Sequence, residues 1–216
     1  AYPDAWPETV RGLLVHSARW PKALQHQFLG TGRSGEYSKT EYGRLLRVCG
    51  YGVPDLSMAL SCPLNSVTLV AESELQPYAR QDVGSGCKTK DMHLHQLPWP
   101  REVLLSLGEM PVSLRITLSY FIEPGPGEIG WRDKYRYASY ALRFDLNNTG
   151  ETEESFLRRI NAAAREDGDE PETDSGNQRW SIGASNRNSG SIHSDIWNGT
   201  AADLASCNLV GVYPVG

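Results

Sequence analysis

The sequence predicts a mainly β chain of the α+β class: a jelly-roll-like β-sandwich entered through a short run of helices. Three observations carry this expectation. Apolar residues recur at helical spacing up to about residue 60, and from Ser66 onward the period falls to two. The stretch Val112 to Ile122 puts apolar or aromatic side chains at every even position and polar ones at every odd position except Phe121, as a strand with one buried face requires. The 21 glycines and 13 prolines supply the turns of a many-stranded fold.

Taken in order, the elements divide the chain into residues 1–60, helical, and residues 61–216, the sandwich with one inserted helix. Residues 3–18 read as a short helix, with proline at a first helical position, an acid beside it, and Val10, Leu13, Leu14 and Ser17 on one face. Lys39 to Val48 repeats the pattern through Tyr42, Leu45 and Leu46 until Gly50-Tyr51-Gly52 stops it. Pro54 to Leu60 reads as one more short helix. Strands are then expected at Val67–Ala71, Met92–Leu97 and Val112–Ile122, and after the turn Glu123–Gly127 at Tyr135–Leu146. The last two are expected to pair in the core sheet. Glu151 to Arg165 begins with acid and ends with arginine, and its Phe156, Ile160 and Ala163 share a side, so it reads as the inserted helix. Asp167–Asp174 carries five acids and no base and reads as a solvated loop. Three or four closing strands are expected across Arg179–Gly183, Gly190–Trp197 and Asn208–Val215.

The totals exclude several functions. The net charge of −5 and the scattered basic residues leave no footprint for a phosphate backbone, so nucleic acid is not an expected partner. The longest apolar runs, such as Leu13–Val15 and Val103–Leu105, are far too short for a membrane span, and the first residues lack signal-peptide organisation. A soluble chain with no membrane partner is expected. Cys49, Cys62, Cys87 and Cys207 form no C-x-x-C pair, so they read as reduced, mostly buried thiols, which favours the cytoplasm. Acceptor triplets at Asn147 and Asn198 do not alter that expectation.

Residues 2–18 resemble the helix that follows the catalytic-serine helix in subtilisin-like serine proteases, the subtilases. Cys49-Gly50-Tyr51-Gly52-Val53-Pro54-Asp55-Leu56-Ser57-Met58-Ala59 is similar to the Gly-x-Gly segment that closes the same domain. Gly190 to Leu204 looks like part of the C-terminal extension of large bacterial members. The resemblance implies that residues 1–60 are the C-terminal remnant of a protease domain and 61–216 its β-sandwich extension, in a parent that hydrolyses peptide bonds. The expected partners are then the upstream protease domain and a protein substrate. The family's Gly-Thr-Ser-x-Ala motif is missing, for Gly30-Thr31-Gly32 and Gly199-Thr200-Ala201 lack the serine. No catalytic residue is carried over, and the chain alone is expected to be inactive, structural or recognising in role. The alternative is a non-catalytic sandwich module that binds a protein or glycan.

The chain's own residues give the same expectation of no catalytic, cofactor-binding or metal-binding residue. Ser191, His193 and Asp195 cluster in sequence, but alternation along a strand spaces them about 7 Å apart, too far for a nucleophile–base hydrogen bond. A solvent-facing polar strand is expected there. His93 and His95 share a face without a third ligand at metal spacing, and read as surface or packing residues. The acids of 167–174 suit calcium, yet lack a ligand order that would enclose it. The six tryptophans are dispersed, which fits core or rim positions better than a carbohydrate platform.

Overall fold

The computed structural model describes residues 3–29, 37–61, 68–80, 87–121, 141–165 and 178–215. Four helices come first: α1 (Pro7–Ser17), α2 (Lys22–Phe28), α3 (Lys39–Cys49) and α4 (Leu56–Ser61). Pro7 opens α1, where its missing N–H costs nothing, and Glu8 stands in the positive first turn. Ser38 and Glu41 form a reciprocal capping box on α3. That helix ends at Gly50 and Gly52, whose φ of +56° and +95° lie in the left-handed region. A Cβ on Gly52 would also sit 2.4 Å from the Arg19 carbonyl oxygen. Glycine there lets Arg19 and Val53 approach closely enough to exchange hydrogen bonds of 3.0 and 2.9 Å.

The remaining elements are β1 (Tyr78–Arg80), β2 (Cys87–Thr89), β3 (His93–Gln96), α5 (Arg101–Leu107), β4 (Pro111–Ser119), β5 (Ala141–Leu146), α6 (Glu153–Arg165), α7 (Ala184–Arg187), β6 (Ile192–Thr200), α8 (Ala201–Ser206) and β7 (Leu209–Val215). They build three small sheets: β1–β2 antiparallel, β3–β7–β5 antiparallel with β7 in the middle, and β4–β6.

The chain is α+β, as its periodicities require, but not mainly β, because the described residues hold more helix than strand. Four helices went unread. Lys22–Phe28 is a run of good helix formers behind Pro21, and α8 carries its own capping box of Thr200 and Asp203. Residues 68–71 form no strand, and Arg179–Gly183 contributes only an isolated bridge between Trp180 and Trp197. Among the described residues β4 and β5 do not pair; β6 is the partner of β4 and β7 that of β5. Alternation tells which face of a strand is buried and carries no information about its neighbour, so both strands were found and their pairing was not. The turn at 123–127, residues 135–140 of the second long strand, Gly30–Gly32, Trp131, Cys62 and the acids of 167–174 lie outside the described residues.

By packing, the chain divides into two units: Ala1–Ser73, Ser113–Ser119 and Asp174–Asn198 in one, and Glu74–Val112, Tyr120–Thr173 and Gly199–Gly216 in the other. In the first, Trp20, Leu29, Leu45 and Ile182 make a core flanked by Phe28, Tyr42 and Leu46. In the second, Phe156, Ile160 and Ala164 of α6 pack on Leu209, Tyr213 and Val215 of β7. A leucine, isoleucine or phenylalanine among them, fully buried, contributes about 1.5–3 kcal/mol. Gly211 makes the close approach possible, since a Cβ there would stand 2.9 Å from Cδ1 of Ile160. Arg159 fastens the same helix, its guanidinium held between Asp145 and Glu151 while it donates to the Leu146 carbonyl at 3.0 Å. Against the desolvation that opposes its charge, the Glu151 hydrogen bonds and the Asp145 charge hold Arg159 above its ordinary pKa.

Candidate functional site

A buried polar cluster in the first unit is built on β6. His193, Ser194 and Asp195 are consecutive in that strand and each only 1% exposed, so both of its faces are covered. The solvent-facing polar strand expected here is therefore corrected. A carboxylate can be buried only if its lone pairs are met, and those of Asp195 are. Oδ1 accepts from the N–H groups of Ile182 at 2.9 Å and Ile196 at 2.7 Å. Oδ2 accepts from the Gly183 N–H at 2.9 Å and from Nη1 of Arg187 at 3.1 Å. Gly183 takes a φ of +80° to enter α7, and Arg187, at the end of that helix, lies 4.6 Å over the ring of Trp180. The loop and short helix from Trp180 to Arg187 are thus wound around one carboxylate.

A second chain of groups runs from α1 through β4 to β6. Nδ1 of His16 lies 3.0 Å from Oγ1 of Thr117, which lies 2.8 Å from Oγ of Ser194. The hydroxyl of Tyr51 accepts from the Ser194 N–H at 3.1 Å and donates to the Ile192 carbonyl at 3.2 Å. Burial pushes the Tyr51 hydroxyl above its ordinary pKa. Burial first, and then the charges of Arg115 and Arg19, lower His16 from 6.5 to about 4. His16 is therefore neutral near pH 7.

The chemistry open to this arrangement is limited. Catalysis by a Ser–His–Asp unit needs a carboxylate behind the imidazole and a hydroxyl before it. Asp195 is committed to three backbone donors and an arginine, while Nε2 of His193 lies 3.2 Å from the Gly190 carbonyl oxygen. Ser191 precedes β6, and Arg11 holds it through both its hydroxyl, at 3.1 Å, and its carbonyl, at 2.9 Å. Ser191, His193 and Asp195 are therefore not brought into one hydrogen-bonded unit by the contacts described. His93 and His95 lie with ring centroids 6.1 Å apart and tilted edge to face, and burial together with the His93 charge lowers the pKa of His95. Among the described residues no three His, Cys, Asp or Glu side chains gather as a metal group.

Of the described tryptophans, Trp20, Trp180 and Trp197 are buried, Trp99 is half-buried and Trp6 is exposed. Cys49 and Cys207 are not joined in disulfides. Asn147 is 2% exposed and bonded to Ser206 and Leu209, whereas Asn198 is exposed. Sequence reasoning missed Arg115, His16 and Thr117. Arg115 and Thr117 were assigned only to the polar face of their strand, and that face receives α1: Nη1 of Arg115 reaches the carbonyls of Val15, His16 and Ala18 at 3.3, 3.0 and 2.7 Å. Among the described residues no helix is long and apolar enough to cross a membrane. Comparison with protein-family models, curated protein sequences and solved structures returns no match.

Proposed function

We propose that this chain is the C-terminal part of a subtilisin-like serine endopeptidase, supplying scaffold to a catalytic apparatus that lies upstream. The observation that carries the reading is how the two segments of the resemblance meet. They fold as α1 and α4 in the family's order, clamped by the Arg19–Val53 bridge and by the Asp55 N–H donating to the Ser17 hydroxyl at 3.2 Å. Trp6 at the N-cap of α1 and Val10 and Leu14 within it follow one another at intervals of four and remain 40–47% exposed. In this reading that stripe receives the upstream protease domain, and residues 1–60 and 61–216 are protease remnant and extension. A jelly-roll-like plan for the extension belongs to the same proposal, supported by the central place of β7, last in sequence yet flanked by β3 and β5. Cytoplasmic residence belongs to it too, supported by Cys49 and Cys207 standing outside disulfides.

The test compares the isolated chain with the longer parent, using peptide substrates and a fluorophosphonate label. The parent is expected to label and turn over, and the isolated chain to do neither. Labelling of the isolated chain overturns the reading. A second reading, an interaction module for a protein partner, is favoured by Val103, Leu105 and Met110 around α5, each more than half exposed. Deleting residues 61–216 from the parent separates the two: general loss of folding and turnover supports scaffold, and loss of one partner alone supports the module.

A further inference from the structure

We propose that Arg19 and Arg115 form the receptor for one small oxyanion of the carboxylate or phosphate class, at the C-terminal end of α1. Nη1 of Arg19 donates to the carbonyls of His16 at 2.8 Å and Ala18 at 2.9 Å. Nη1 of Arg115 donates to the same two oxygens, at 3.0 and 2.7 Å. Two guanidinium groups that share both acceptors are close neighbours, and each is fully charged near pH 7. The helix end that they cap offers only about half a negative charge.

Among the described residues no carboxylate lies within ion-pair distance of either arginine. Asp195, whose charge reaches Arg115, is already held by Arg187 and three backbone N–H groups. Among the described residues, therefore, no carboxylate is ion-paired with the positive charge of this site. The same charges bear on His16, whose pKa is lowered to about 4 by burial first and then by Arg115 and Arg19. Burial and then Arg19 likewise lower Arg115 itself to about 10.

The geometry also sets the ligand class. A guanidinium has five N–H donors in a planar fork, and the hydrogen bonds described engage only Nη1 of each arginine. Two forks with donors in hand match the paired oxygens of a carboxylate or phosphate. Arg19 is exposed and Arg115 partly so, which leaves the approach open to solvent. The occupant is either a free ion or an Asp or Glu side chain of an upstream polypeptide, and the chemistry is shared. The proposal stands whether or not the protease parentage does.

The experiment titrates the chain with inorganic phosphate and with acetate at constant ionic strength, following thermal unfolding and the His16 ring resonances. A saturable rise in Tm is expected, with the His16 pKa moving upward as bound anion offsets the two arginines. Arg19→Gln is expected to weaken binding about tenfold, and Arg19→Lys, which keeps the charge without the fork, by less. A response that does not saturate, or that is unchanged in Arg19→Gln, means an adventitious ion only and overturns the proposal. So does saturation without movement of His16, a readout that needs no variant. In a longer parent, a retained phosphate response identifies a free ion as the occupant, and a lost one identifies a polypeptide carboxylate.

Discussion

Asp195 and His16 answer the problem of a buried polar group in opposite ways. Asp195 is met by four donors, three of them from Ile182, Gly183 and Arg187 in the short segment around α7 and the fourth from the Ile196 N–H. Asp195→Ala leaves Arg187, 3% exposed, without its carboxylate, and is expected to destabilise the first unit by about 3–5 kcal/mol in urea unfolding. Asp195→Asn keeps the shape but turns an amide donor toward one pair of donors, and is expected to cost a large part of the same amount. His16 instead gives up its charge. Its folded pKa of about 4 lies below the ordinary 6.5, so the unfolded chain binds the proton first as pH falls. The contribution is complete above pH 6.5 and is lost as pH falls through 4, by up to about 3 kcal/mol. Urea midpoints measured across that range are expected to lose this slope in His16→Gln.

At the scale of elements, close approach is set by glycine and entry by caps. Gly211 lies under Ile160 and Phe156, with a Cβ position 2.9 and 3.3 Å from their nearest atoms. Gly211→Ala is expected to push α6 off β7 and cost about 1–3 kcal/mol in chemical denaturation. Gly52→Ala combines a left-handed φ with a clash against backbone, so the α1–α4 clamp is expected to open, read as faster hydrogen exchange at the Arg19 and Val53 amides. Ser38→Ala removes one half of the α3 capping box and is expected to cost about 1 kcal/mol. Such devices were only partly readable. The Gly50-Tyr51-Gly52 stop was visible because glycine at a helix end has one common meaning, whereas Gly211 sits inside a strand where its purpose depends on a helix some fifty residues earlier.

For the whole molecule, the exposed stripe of Trp6, Val10 and Leu14 matters most, together with Val53, Leu56 and Leu60 around α4. Apolar surface gathered on one pair of helices binds hydrophobic dyes and promotes association. Leu14→Glu is expected to reduce dye binding by the isolated chain with little change in stability, because the side chain is 43% exposed. In the parent, the same substitution is expected to lower yield or turnover if this face receives the protease domain. Unchanged turnover with unchanged dye binding would remove the face from consideration.

The sequence alone determined the α+β class, the positions of α1, α3 and α6, and the strands β3, β4 and β7. Each follows from a period, a cap or a stop written within a dozen residues. Tertiary structure alone decided the strand partners, the burial of His193 and Asp195, and the meeting of Arg19 with Arg115. A polar residue on an alternating strand reads the same whether it faces water or a helix end. Only packing distinguishes the two: the carbonyls that meet Arg115 arrive from α1, far earlier in the chain, and the nearby Ile182–Arg187 segment encloses Asp195 only once it has folded back on β6.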